Sequence, residues 1–275
     1  MGVGTLILGE SGTGKSSSLR NFSEGDVFVI RAINKPLPFK NHIRSIVSDD
    51  YSDIKKAMKT AKEKIIVIDD AQYLMSNEFM RRATERGYDK FTEIAQGFWD
   101  LINSINDLDD DVRVYIMAHV ERDANGNEKI KTIGKMLDEK ITVEGMFTIV
   151  LKTNVTDGNY SFITQNNGHD TTKSPLGMFN SYAIDNDLKY VDEKICNYYE
   201  IGNFKSDEEI KKADEEAAKP EIKKPEKRGR RSRSKADKSV DSTGQDEQIP
   251  EKQEADQEAA GDVQPPKRRC RKKVE

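Results

Sequence analysis

Cysteine is nearly absent: Cys196 and Cys270 are the two in 275 residues, too few for a disulfide framework and without metal-ligand spacing. A reducing cytoplasm is the setting this implies. No run of 18 apolar residues occurs, and the chain opens on an apolar strand pattern rather than a signal peptide, so a soluble protein with no membrane partner is expected. Leu6 stands where a myristoylation signal needs Ser or Thr. Aromatic residues stop after Phe204, and the chain beyond it is mostly Lys, Glu, Asp, Ala, Arg, Ser and Pro. Such a segment cannot bury enough apolar surface to offset its ordering entropy, so residues 204–275 are expected to be a disordered tail. Residues 1–203 remain as one domain, long enough for a proper core. There is no internal repeat.

The net charge of -4 conceals a block pattern in the tail. Residues 205–218 carry 3 basic and 6 acidic side chains, and 219–238 carry 10 and 3. Residues 239–263 carry 1 and 8, and 264–275 carry 6 and 1. The basic stretches "KRGRRSRSK" and "PPKRRCRKK" would attract phosphate backbones by counterion release. The alternative is a solvated linker whose blocks largely neutralise each other.

Short apolar and β-branched runs predict strands at 5–9, 27–32, 64–70, 112–119, 147–155 and 159–165. The last two flank "TDG", a hairpin signal in which Gly158 supplies a positive φ. Helices are predicted at 15–22, 51–62 and 89–107; in the last, Phe91, Ile94, Ala95, Phe98, Leu101, Ile102 and Ile105 recur at helical spacing. Strands alternating with helices predict an α/β fold with a mostly parallel sheet, closed by an antiparallel edge hairpin.

Three motifs sit at strand ends. "LILGESGTGKSSSLRNF" matches the phosphate-binding pattern G-x-x-x-x-G-K-[ST] at Gly9, Gly14, Lys15 and Ser16, between a strand and a helix as the motif requires. Residues Gly9, Glu10, Ser11, Gly12, Thr13, Gly14, Lys15, Ser16 and Ser17 would cradle the phosphates of ATP. Lys15 would reach the β- and γ-phosphates, and the Ser16 hydroxyl would ligate Mg²⁺. "IIVIDDAQYLM" is a buried strand delivering acid to the sheet edge, the Walker B pattern. Asp69 would hold Mg²⁺; Asp70 would polarise the attacking water as general base, or cap the following helix. "VYIMAHVE" ends a further strand in His119, either a γ-phosphate sensor or a surface or capping residue. No guanine-specific N-K-x-D motif is present.

Taken together, "LILGESGTGKS", "VIDDAQYLM", "YIMAH" and "TQNNGHDTTKSP", with "GYDKFTEIAQGFWD", resemble the RecA-like ATPases encoded by bacteriophages, a group that includes compact RecA-like single-strand annealing proteins. The resemblance spans roughly residues 3–195. It implies a RecA-like P-loop core, slow Mg²⁺-dependent ATP hydrolysis, a homo-oligomer, and action on single-stranded DNA in phage recombination or replication, in the host cytoplasm. A single-strand-binding protein or another replication partner would meet the tail. The resemblance also implies two DNA loops: about 76–90, with Arg81, Arg82, Arg86 and Lys90, and about 121–140, with Lys129, Lys131 and Lys135. Lys173 would complete a neighbouring subunit's ATP site. Two departures bear on activity. No oligomerisation segment is expected ahead of the P-loop strand, and "IRAINKPLPF" carries no acid where RecA places its catalytic Glu, so binding with slow hydrolysis is expected rather than robust strand exchange.

Other readings stay open. A small-molecule kinase would need an arginine-rich lid, whereas the region after His119 offers only Arg122 and then lysines. An AAA+ loader would need a helical lid domain after the third motif, where strand–turn–strand is expected. A nucleotide-dependent scaffold would bind without measurable turnover.

Overall fold

The computed structural model describes residues 1–217; both basic blocks of the tail lie outside the described residues. In chain order the elements are β1 (Val3–Leu8), β2 (Val27–Arg31), β3 (Arg44–Val47), α1 (Tyr51–Thr60), β4 (Ile65–Asp69), α2 (Gln72–Arg81), α3 (Asp89–Asn103), β5 (Arg113–Ala118), β6 (Val120–Arg122), β7 (Glu128–Ile130), β8 (Ile149–Thr156), β9 (Asn159–Ile163), β10 (Ala183–Asp185), α4 (Leu188–Tyr199) and α5 (Asp207–Ala217). Each run expected as a strand forms one.

Eight strands build one sheet in the order β10-β9-β8-β1-β5-β4-β2-β3. From β8 to β3 all neighbours are parallel. Beyond β8 the sheet turns antiparallel, through the expected hairpin to β9 and then on to β10. Asp157 and Gly158 both have positive φ, 52° and 77°, as a two-residue hairpin turn of this hand requires. The edge is therefore β10, not the hairpin itself. The outer strand β3 is the other edge, and neither three- nor four-residue element carries enough periodicity to be read beforehand.

Alternation explains why the central strands read as unbroken apolar runs. Leu6, Leu8, Phe28, Ile30, Ile66, Ile68, Val114 and Ile116 face a core filled from α1, α2 and α3 by Ile54, Leu74, Ile94 and Phe98. Ile7, Val27, Val29, Val67, Tyr115, Met117 and Leu151 face the other way, onto Leu19 and onto Leu188, Val191 and Ile195 of α4. Both faces are covered, so the strands carry few polar residues away from their ends, Thr5, Thr153 and Ser161 among them.

Helix α1 begins at an Asp50 cap, whose Oδ1 accepts from the Asp53 amide at 2.9 Å. Helix α3 ends sooner than its spacing predicts: after Asn103 the chain tightens into a 3-10 turn, Ser104–Asp107. The expected helix at 15–22 is likewise a 3-10 helix, Ser16–Asn21. Helix α4 was hidden by its buried polar residues. Asp192 on it accepts from Arg113 of β5 through Nε (3.0 Å) and Nη2 (2.8 Å), and from the Tyr115 hydroxyl at 2.6 Å.

The chain past 203 is not structureless at its start. Ser206 and Glu209 form a capping box, the Ser206 hydroxyl and amide donating to Glu209 Oε2 at 2.7 and 3.0 Å. Ile210 of α5 is buried, and Asp214 accepts from Tyr190 and Lys194 of α4 at 2.7 and 3.0 Å. Ile210, Ala213 and the Asp214 carboxylate anchor a helix whose composition alone argues for solvent. No helix among the described residues is long and apolar enough to cross a membrane.

Candidate functional site

Strand β5 lies between β1 and β4, so the three motifs read from separate stretches of the chain end at one edge of the sheet. Open parallel sheets bind ligands at this carboxyl edge. Here β1 runs into the loop at Gly9, β4 ends on Asp69, and β5 is followed by His119.

The glycines of the loop have separate physical reasons. A Cβ on Gly9 would stand 1.8 Å from Thr153 Oγ1 of β8 and 2.7 Å from Thr13 Oγ1, the first being the severer clash. Gly14 has φ 99°, and a Cβ there would meet Tyr160 at 2.8 Å and Asn186 Oδ1 at 3.1 Å. Gly12, φ 80°, borders open space. We expect Gly9→Ala to destabilise the fold through the Thr153 contact. In the double variant with Thr153→Ala, urea denaturation should show roughly 1–2 kcal/mol of recovered stability. Additive effects would mean the loop relaxes elsewhere.

Lys15 turns back into its own loop. Its ammonium donates to the carbonyls of Gly9 and Glu10, each at 2.9 Å, and the residue is 5% exposed. Burial pulls it from an ordinary 10.5 down to about 8, against the pull of the Asp70 and Asp69 carboxylates. Ser16 Oγ donates to the Asp69 carboxylate, 2.9 Å from both oxygens. Asp69 is 1% exposed; burial and the adjacent Asp70 charge raise its carboxyl, and the Ser16 bond partly offsets them.

Asp70 has the left-handed φ of 59°. That turn carries its carboxylate away from the start of α2, which has no side-chain cap, so the capping alternative is not what the residue does. The carboxylate instead meets the Lys35 ammonium on Oδ2 and His119 Nε2 at 3.3 Å on Oδ1. Burial pushes this carboxyl up, but the bonds to His119 and Lys35 outweigh it and hold it below the usual range. His119 is itself fixed. Its amide donates to Gln72 Oε1 at 3.1 Å, and its ring meets Tyr73 edge-on at 6.3 Å.

These groups enclose a cavity of about 250 Å³, lined by Gly12, Lys15, Ser16, Lys35, Asp70 and His119 among others. Ser11, Gly14 and Ser17 also line it. Glu10 points outward to an exposed pairing with Arg122 at 3.4 Å, and the Thr13 hydroxyl closes the loop onto the Glu10 carbonyl at 2.7 Å. A larger hollow of about 400 Å³ lies at the opposite end of β1, beside Gly2, Ile105 and Phe147, remote from this chemistry.

The basic residues expected on two loops divide by their partners. Arg81 is paired with Asp49 at 2.5 Å, and Arg82 with Glu78, Glu85 and Glu93. Lys90 is buried and donates to the carbonyls of Arg82 and Glu85, closing the loop that follows α2. Lys129 meets Asp138 and Glu121, and Lys135 meets Glu139 at 3.3 Å. Arg86 and Lys131 are exposed, with no acidic partner among the described residues; beside Arg86, Tyr88 is 87% exposed. The second loop is not open: β6 and β7 pair within it as an antiparallel hairpin. Lys173 is half-buried, its backbone bridged to Val150 of β8 at 2.8 and 2.9 Å.

Sequence reading missed Lys35, Gln72, Tyr73 and Thr153. The one signal for Lys35 was "NKPLP", two prolines that stiffen the chain directly after a strand. Gln72 and Tyr73 lie in plain view after Asp70, but only the β4–β5 adjacency brings them to His119. No protein-family model matches this chain, and no curated protein matches it.

Proposed function

We propose that this chain is a RecA-like P-loop ATPase that binds ATP with Mg²⁺, hydrolyses it slowly, and acts as a homo-oligomer on single-stranded DNA in recombination or replication, as the phage proteins it resembles do. One observation carries the reading: β5 stands between β1 and β4, and its end brings His119 to Asp70 beside the Ser16–Asp69 pair.

The residues fit the nucleotide. The glycine-rich loop leaves backbone N–H groups to face phosphate oxygens, Lys15 is a buried cation at its base, and Ser16 with Asp69 is a hydroxyl–carboxylate pair of the kind that holds Mg²⁺. Bound there, Mg²⁺ would neutralise charge on the β- and γ-phosphates. Asp70 and His119 would orient the water: its oxygen bonds to the γ-phosphorus, the bond to the β-phosphate oxygen breaks, and the water's proton passes to Asp70. With His119 and Lys35 both bound to it, this carboxylate is a weak base until one of them leaves, and that step would slow turnover. The same double occupation favours, as a second reading, a scaffold that binds nucleotide without hydrolysing it. For DNA, support comes from Arg86 and Tyr88, a cation with no acidic partner among the described residues and an exposed ring on the same loop.

The test is ATP turnover by the full chain with and without single-stranded DNA, beside Lys15→Ala and a chain ending at residue 217. We expect DNA to stimulate turnover severalfold and Lys15→Ala to abolish it. A DNA effect lost on truncation would assign the coupling to the basic tail. Binding without turnover selects the scaffold, and no effect of DNA under any condition removes DNA from the proposal.

A further inference from the structure

We propose that Lys35 contacts the terminal phosphate of a bound nucleoside triphosphate from within the same chain, giving up for it the Asp70 carboxylate that it meets in the structure. The inference rests on the nucleotide-binding reading above and assigns a further residue to that site.

Three observations on Lys35 converge. First, position: β2 is parallel to β4, so the segment leaving β2 passes over the same carboxyl edge, and Lys35 lines the cavity that Lys15 and Ser16 also line. Second, its backbone is prepared. The Lys35 amide donates to the Ile33 carbonyl at 3.0 Å, and its carbonyl accepts from Arg31 Nη1 at 2.7 Å. Pro36 comes next, restricting Lys35 to extended backbone, and Pro36 and Pro38 both stand in the cavity wall. Third, its side chain is 46% exposed, while the Asp70 carboxylate that it meets is 2% exposed. A lysine ammonium has three donors, and a single carboxylate oxygen leaves the others available to the cavity.

Charge then decides what the cavity takes. Lys15 and Lys35 are the lysines and arginines that line it among the described residues. Arg122 is engaged with Glu10 and Glu128, and Arg20 with Asp185 and the Asn186 carbonyl. Lys15 reaches the cavity from the base of the loop and Lys35 from the β2 side. A terminal phosphate has more charge and more acceptor oxygens than the Asp70 carboxylate, so it competes for the same ammonium. Exchange of partner would release Asp70 Oδ2 when the triphosphate, and not the diphosphate, is present. The site would thereby read the terminal phosphate and unmask its carboxylate in one movement.

The experiment is equilibrium binding, in Mg²⁺, of a non-hydrolysable β,γ-imido ATP analogue and of ADP to the full-length chain and to Lys35→Ala, Lys35→Gln and Lys35→Arg. Loss of one charge-assisted contact should weaken the triphosphate analogue about 10- to 100-fold and ADP less than about twofold. Lys35→Arg should restore part of the difference. Melting temperatures of all variants report whether the fold is retained, and Lys35→Gln keeps a donor and most of the side-chain volume should Lys35→Ala unfold. If the wild type binds both nucleotides and no variant changes the ratio of their affinities, the inference on Lys35 is wrong and the nucleotide reading stands. If the wild type binds neither, the nucleotide reading itself fails and takes this one with it.

Discussion

Lys15→Met is expected to abolish nucleotide binding and, at the same time, to make the nucleotide-free protein more stable. The first half rests on the proposed nucleotide reading, in which Lys15, at the base of the glycine-rich loop, would contact two phosphates; losing those contacts should weaken affinity by about 100-fold or more. The second half follows from burial. A cation 5% exposed, drawn from 10.5 to about 8, is held charged at neutral pH against its surroundings. At about 1.4 kcal/mol for each pH unit of displacement this costs roughly 3 kcal/mol. Methionine has similar length without the charge, though the Gly9 and Glu10 carbonyls lose a donor, so a net gain of roughly 1–2 kcal/mol is expected.

The sign of the pH dependence follows from linkage. Below about pH 8 folded and unfolded chains both carry the Lys15 proton, and the folded state bears the full penalty. Between about 8 and 10.5 only the unfolded chain keeps it, so the wild type gains stability relative to Lys15→Met as pH rises through this window. Urea denaturation of both proteins from pH 7 to pH 10 measures the difference directly. Two curves that stay parallel would show that Lys15 is not held charged in a desolvated setting.

A second large effect lies away from the site. Asp192→Ala should destabilise the protein by about 3–5 kcal/mol, a substantial share of the 5–15 kcal/mol typical of a domain. The Asp192 and Arg113 side chains are 7% and 11% exposed, and Tyr115 is fully buried. Burial would lower the Arg113 guanidinium, but its two bonds to Asp192 keep it raised; burial and then Asp192 push the Tyr115 hydroxyl well up. Removing the carboxylate strands a buried cation and a buried hydroxyl together. Replacing the whole group by Arg113→Met, Asp192→Leu and Tyr115→Phe should recover most of the loss, because the damage comes from the uncompensated charge rather than from a missing attraction. Chemical denaturation of the single and triple variants decides it. A triple variant no better than Asp192→Ala would mean that these contacts hold α4 on β5 in a way packing cannot replace.

The two effects illustrate how differently parts of this chain are encoded. Gly9 to Ser16 could be read at once, because the motif is local: one strand end, a few glycines whose backbone must turn, a lysine and a hydroxyl at fixed spacing. Asp69 was equally legible, as the acid at the end of an all-apolar run. The strands themselves were legible because burial on both faces leaves them mostly apolar, with few polar side chains such as Thr5 and Thr153 inside them. Helix α4 was not, since Asp192 and Lys194 interrupt its apolar stripe with side chains whose charged and hydroxyl partners, Arg113, Tyr115 and Asp214, lie elsewhere in the chain. Helix α5 was hidden for a related reason: Asp214 is held by Tyr190 and Lys194 of α4, and Ala213 packs on a core built from other elements.

The site divides along the same line. Local spacing names Lys15, Ser16, Asp69 and Asp70, and with them the kind of ligand to expect. Whether Asp70 faces a helix end, a water or a cation depends on which strands lie next to β4. Long-range backbone pairing sets β2 on one side of it and β5 on the other, so Lys35 and His119 arrive from 35 and 49 residues away in the chain to share one carboxylate. No pattern confined to a single stretch of residues can express that pairing, because its free energy is spread over hydrogen bonds and buried side chains along three strands.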